Sequence, residues 1–339
     1  MTLNRRLPRQ WWRVGMMWAF LGLALVTGSG CSPFTPATRS QGNGLPTLHH
    51  LDWGFAWNSL ARWSPNGRWI AFLAGSNLGD THLEVVSSDG TQRYDLSSWG
   101  CGGFHDFDIA WLPDNRLTCV RASNYVFRLC AGLPTATSCQ SRELAHALET
   151  IGSGAVWSPD GNHLIVAAPP GDPASNGIAR SGLNVITPQG TVSQLLLTSN
   201  VSDFAFPQWR PHTSDLSYLL APNLVIRPIS YGSQGFTLGT PRVVASDQID
   251  DVSSYAWSPS GRWIALRHLD AQGNEKIYLV NADQPSQTVD VALVDQVREQ
   301  MTDPIWSPDG KTLIVFGVND NQPYAINIAD YLHSKGLEV

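Results

Sequence analysis

Trp157-Ser158-Pro159-Asp160-Gly161, followed by His163-Leu164-Ile165-Val166, is the stretch whose reading decides the fold. Proline presets φ at the first corner of a turn, and Asp at the second corner hydrogen-bonds nearby backbone. Glycine then takes the left-handed position that lets the chain reverse. The residues after the turn are strongly strand-forming. The same phrase recurs as Trp63-Ser64-Pro65-Asn66-Gly67, Trp111-Leu112-Pro113-Asp114-Asn115, Trp209-Arg210-Pro211-His212-Thr213, Trp257-Ser258-Pro259-Ser260-Gly261 and Trp306-Ser307-Pro308-Asp309-Gly310. Six copies spaced 46 to 52 residues apart are the mark of a repeat architecture.

Each copy predicts a hairpin of strands a and b. A third strand follows, as in His82–Val86, Tyr125–Leu129 and Ile277–Val280, and then a fourth, as in Thr91–Leu96, Ser141–Ala147 and Thr288–Leu293. Four antiparallel strands repeated radially make a propeller blade, so the chain is read as all-β, a six-bladed β-propeller. After Ile328 too little chain remains for a fourth strand in blade six. Pro46–Leu51 stands ahead of Trp63 with no a, b or c of its own, and is expected to supply that strand and close the ring, removing exposed sheet edges. Asn115 and Thr213 replace the glycine, which leaves the geometry of those two turns open.

The Trp-Ser-Pro-Asp-Gly turn with its Ile/Leu-rich exit strand resembles the TolB-type, WD-repeat-like propeller unit. The resemblance runs from residue 46 to about 330 and implies protein–protein contacts in a bacterial cell envelope. The small domain that precedes the propeller in that family has no counterpart in the repeat pattern; the stretch ahead of it is read as an anchor.

Arg5, Arg6, Arg9 and Arg13 precede an apolar run from Val14 to Val26, and Gly28, Ser29 and Gly30 lead to Cys31. This is the pattern of a secretory signal over 1–30. The position of Cys31 resembles a bacterial lipobox, which implies lipidation there; the alternative is ordinary cleavage after Gly30. Residues 31–45 are then a lipid-anchored flexible tether, 46–330 the propeller and 331–339 a C-terminal tail. The expected location is the cell envelope, on the periplasmic or extracellular face of a membrane, as a monomer. A net charge of −6 with no basic stripe argues against nucleic acid.

Cys101, Cys119, Cys130 and Cys139 all fall in or beside blade two. In an exported chain they suggest two disulfides with three possible pairings, against four reduced thiols. Antiparallel strands c and d bring Cys130 roughly opposite Cys139, which favours Cys130–Cys139 and leaves Cys101 to Cys119. Gly-x-Ser-x-Gly and His-Glu-x-x-His motifs are absent, so no catalytic residue is assigned. Acids precede the motif tryptophan in several loops: Asp106 and Asp108, Asp203, Asp250 and Asp251, and Asp303. Around a channel mouth these carboxylates suit Ca²⁺ or a cationic partner segment; otherwise they are solvated turn residues. The motif tryptophans are expected to pack between blades. Trp53, Trp57, Trp99 and Phe104 are read as loop residues suited to an exposed aromatic patch. The resulting expectation is an envelope protein-binding or scaffolding propeller, and the competing one a channel-metal-dependent propeller hydrolase or lactonase.

Overall fold

In a computed structural model, the described residues are 38–39, 48–50, 57–75, 81–101, 108–123, 126–145, 155–168, 182–187, 192–197, 204–220, 223–232, 235–244, 252–269, 275–285, 288–291, 304–316 and 323–339. They form six small antiparallel sheets. Strands a to d are Trp57–Trp63, Trp69–Gly75, Thr81–Ser87 and Arg93–Asp95 in blade one. In blade two they are Asp108–Trp111, Leu117–Ser123, Val126–Gly132 and Gln140–Ala145. Blade three has Ala155–Trp157, Leu164–Ala168, Gly182–Ile186 and Val192–Leu197. Blade four has Phe204–Trp209, Asp215–Leu220, Asn223–Gly232 and Arg242–Val244, and blade five Val252–Trp257, Trp263–Leu269, Glu275–Asn281 and Thr288–Val291. Blade six contributes Ile305–Trp306, Thr312–Phe316 and Pro323–Asn327. The a strands of consecutive blades lie side by side, and so do those of blades six and one, so the sheets stand in a ring: a six-bladed β-propeller.

Alternate residues of each strand face opposite neighbours, so every seam between blades is a small core. Ala71, Leu73, Leu83 and Val85 of blade one meet Ile109 and Leu117 of blade two. Trp263, Ala265, Ile277 and Leu279 of blade five meet Trp306, Leu313 and Val315 of blade six. Four of the six motif tryptophans latch their blade to the one before it. The indole N–H donates to Arg62 O from Trp111 (3.0 Å), to Thr118 Oγ1 from Trp157 (2.9 Å), to Ser217 Oγ from Trp257 (2.7 Å) and to Ala256 O from Trp306 (3.2 Å). The buried indole nitrogens of Trp63 and Trp209 have no such partner among the described residues.

The motif serine organises the turn. Ser307 Oγ accepts from Thr312 N (2.9 Å) and donates to Asp309 Oδ1 (2.6 Å), which in turn accepts from Lys311 N (3.0 Å). Ser64 with Asn66 and Ser158 with Asp160 repeat this arrangement.

Leu48–His50 pairs antiparallel with strand c of blade six, Leu48 opposite Ile326, which is the neighbour expected for Pro46–Leu51. Thr38–Arg39, inside the segment read as a tether, pairs with Leu48 and His49 as a fifth strand. The segment read as a tail is also ordered. A helix, Ile328–Ser334, starts at an Asn327 cap and ends where Gly336 turns left-handed (φ 72°). Tyr331, Leu332, Leu337 and Val339 pack onto the seam of blades five and six. No helix of the described residues is long and apolar enough to cross a membrane.

Candidate functional site at the seams of the ring

Cys31, Trp53, Phe104, Asp106, Asp203, Asp250, Asp251 and Asp303 lie outside the described residues, and Asp108 is seen as the first residue of strand a in blade two. The channel-mouth carboxylates therefore receive no geometry. The four cysteines form Cys101–Cys119 and Cys130–Cys139, with Cα–Cα distances of 6.4 and 5.5 Å. One detail of the sequence reading changes: Ser141, not Cys139, lies opposite Cys130, and Cys139 sits just before strand d. Trp99 is no part of an exposed patch. It is 5% exposed, packs over Gly132 beside the cysteines and donates its indole N–H to Ala136 O at 3.2 Å. Trp57 opens strand a of blade one rather than a loop.

Away from the channel, one buried carboxylate stands out. Glu84, 4% exposed, meets His82 at 3.0 Å and Arg93 at 3.1 Å. Burial outweighs these partners and pushes its carboxyl above the usual range. Its strand neighbour is Phe72, which packs against blade six. The triad sits within a seam.

At the end of the ring where the a–b turns lie, the chain finishes its seams differently. Between blades three and four, strand c of blade four overruns to ten residues and turns into an extra strand, Gly235–Leu238. Its Tyr231 stacks on His163 of blade three (4.9 Å, 12°), with Phe236 edge-on to both rings. Between blades four and five, Arg210 stands where four of the other motifs have serine. It donates to Gly261 O at 2.9 Å and grips Asp283 with both terminal nitrogens, at 2.9 and 2.7 Å. That pairing holds Asp283 below the usual carboxylate range and raises Arg210. Between blades five and six, the C-terminal segment lies over the seam: Trp263, 1% exposed, donates its indole N–H to Glu338 O at 2.7 Å, and a depression of about 430 Å³ remains beside it between Asn281, Asp283 and Leu337.

Between blades two and three a cleft of about 480 Å³ opens instead. Leu112, Leu129, Ala131 and Trp157 form an apolar floor, with Gly161 at one end. Arg116, Gln140, Ser141 and Asn162 bring polar groups to it. Among the described residues Arg116 is paired with Asp114 of its own turn, at 2.8 Å, and both side chains are about half exposed (45% and 55%). An exposed pair of this kind is weakly held and exchanges readily.

The cleft has a local cause in blade two. There Leu112 N bonds Arg116 O, whereas Ser158 N bonds His163 O and Ser258 N bonds Trp263 O. The turn of blade two is one residue shorter, and the position before strand b passes to Arg116. The sequence marked Leu112, Trp157 and Gly161 only as members of the turn motif, and none of the cleft residues as a binding residue. The only signals were the missing serine at Leu112 and the missing glycine at Asn115.

No protein-family model matches the chain, and no curated protein matches it. Solved structures do. TolB from Acinetobacter baumannii superposes with a TM-score of 0.52 at 13% identity, covering 78% of this chain and 62% of that one. An auxiliary nutrient binding protein from Bacteroides thetaiotaomicron gives 0.57 at 9%, covering 80% and 69%. A putative gluconolactonase gives 0.54 at 13%, covering 83% and 92%. The chain thus spans less than two thirds of the TolB chain it matches, and at these identities the likeness shows the six-bladed fold alone.

Proposed function

We propose that this chain is an exported propeller of the bacterial cell envelope that binds another protein, and that it acts as a binding or scaffolding module rather than as an enzyme. The observation that carries the reading is the cleft between blades two and three: a preformed slot with an apolar floor and a polar rim, between rigid sheets. The arginines, apolar run and Cys31 at the start of the sequence support export and a lipid anchor. Similarity in shape to TolB and to a nutrient-binding propeller is in keeping with this role.

A photo-cross-linking residue placed at Gln140, on the rim, tests the reading in living cells. The expected result is one discrete protein adduct in the membrane fraction, missing when the probe sits at exposed Gln92 of blade one. The same diffuse labelling from both positions would overturn it. Metal analysis of the purified protein tests the hydrolase reading, which requires a stoichiometric, tightly held divalent ion. Replacing Cys31 with Ser is expected to release the propeller into the soluble fraction and to abolish labelling by a fatty-acid analogue. Unchanged membrane association would show that lipidation is not the anchor.

A further inference from the structure

The seam of blades five and six shows what the cleft is built to hold. Superposing the two seams by strand register makes Arg116 the counterpart of Trp263, Ala131 of Leu279 and Leu129 of Ile277. On the following blade, Trp157 corresponds to Trp306 and Gly161 to Gly310. In the five–six seam this space is occupied by the chain's own last residues. Val339 Cγ1 lies 3.0 Å from where a Cβ on Gly310 would stand, and the Glu338 carbonyl takes the Trp263 N–H. The Glu338 carboxylate lies 3.9 Å from Arg262. In the two–three seam Trp becomes Arg and Leu becomes Ala, and the corresponding residues line the cleft.

We propose that the cleft between blades two and three binds an extended peptide segment of a partner, with an aliphatic side chain next to a carboxylate. This rests on the reading of the ring as a binding module and names the class of its ligand. The aliphatic group lies over Leu129, Ala131 and Trp157 and stops short of Gly161, where Pro113 and Leu112 already approach the position of a Cβ to 3.4–3.8 Å, Pro113 closer in than Pro259 comes to Gly310. Arg116 replaces a single indole donor with a guanidinium fork, and a carboxylate is the group that best matches that fork. Its present partner, Asp114, is exposed and gives way cheaply.

The test uses the full-length exported protein and a dye-labelled hexapeptide, Ser-Lys-Gly-Leu-Glu-Val, identical to residues 334–339. Fluorescence polarisation is expected to show saturable binding. Ala131→Leu, which restores the bulk found at Leu279, and Arg116→Glu should each weaken it at least tenfold. An amidated peptide with Gln for Glu should lose as much. Trp263→Phe should leave the affinity within twofold, because that residue belongs to the seam already covered. Thermal melts monitor the fold; if Ala131→Leu proves unfolded, Arg116→Glu and the altered peptide decide. Absence of saturation, indifference to Arg116→Glu, or loss of binding on Trp263→Phe alone overturns the proposal. So does competition by free valerate at the peptide's own concentration, which would make the cleft a small-carboxylate site. If the peptide fails while the Gln140 adduct persists, the ligand class is wrong and the binding-module reading stands.

Discussion

At Asn115 the backbone φ is 66°, close to the 69° of Gly67 and Gly161, so asparagine fills the glycine's place without changing the turn's hand. Its side chain also accepts from Asn66 N of blade one at 2.9 Å. In blade four the left-handed residue is His212 (φ 62°), one position before Thr213, and its imidazole meets Pro259 O at 3.0 Å. The motif tryptophans can be separated by their hydrogen bonds. Trp257→Phe loses a buried bond to Ser217, whereas Trp63→Phe loses none to the described residues. Trp257→Phe is therefore expected to cost about 1 kcal/mol more in urea unfolding, and equal losses would refute the latch. The turn acids respond to pH. Asp89 is held at about 2 by the Ser87 hydroxyl and by Thr91, and Asp309 is lowered mainly by the Ser307 hydroxyl. A carboxyl lowered on folding stabilises the fold above its unfolded value, and this is lost as pH falls through the folded one. Blade one makes the same turn with neutral Asn66. Asp309→Asn should accordingly fold normally at pH 7 and lose less stability than the parent as pH falls below the usual carboxylate range.

Among the elements, the C-terminal segment has a role the repeat pattern did not show. Beyond the last blade strand the chain forms one short helix and then lays Leu337–Val339 over Trp263. Deleting residues 336–339 uncovers that indole. The expected loss is about 2 kcal/mol, with a red shift in tryptophan emission. An unshifted spectrum would mean that the segment does not cover Trp263. The cysteine pairs staple the loops around strands b to d of blade two, with sequence separations of 18 and 9 residues. Cys119 also lies opposite Cys130 in register, and the sulfurs of Cys101, Cys119 and Cys130 lie within 4.8 Å of one another. A non-reducing peptide map is expected to return 101–119 and 130–139, and a 119–130 link would reverse the assignment.

For the whole ring, Leu48–His50 adds a strand from far upstream to the outer side of blade six. A ring whose outer strand comes from the other end of the chain should lose stability as a unit, not blade by blade. Deleting residues 46–51 is expected to lower the melting temperature of the complete propeller in a single transition. A separate early transition confined to blade six would show that the strand is dispensable to the ring.

The number of blades, the hand of the four glycine-bearing a–b turns and the position of the motif tryptophans were determined by the sequence itself; the turns of Asn115 and His212 were not. The features so determined depend on residues within a few positions of one another: Pro presets a corner, Ser and Asp tie the turn, and Gly accepts positive φ. The cleft was decided only by the tertiary structure. Arg116 and Gly161 lie in the a–b turns of blades two and three and Ala131 in strand c of blade two, and they share one space because the two blades stack with these turns at the same end. The shortened turn that moves Arg116 into register changes one hydrogen bond, from Leu112 N to Arg116 O, and such a shift is invisible until strand b is paired. Nor does local propensity say which seam the final residues will cover, since Trp69 and Trp263 begin identical Trp-Ile-Ala strands. Only the path taken by Ile328–Val339 brings Glu338 to Trp263 and leaves the seam between blades two and three open.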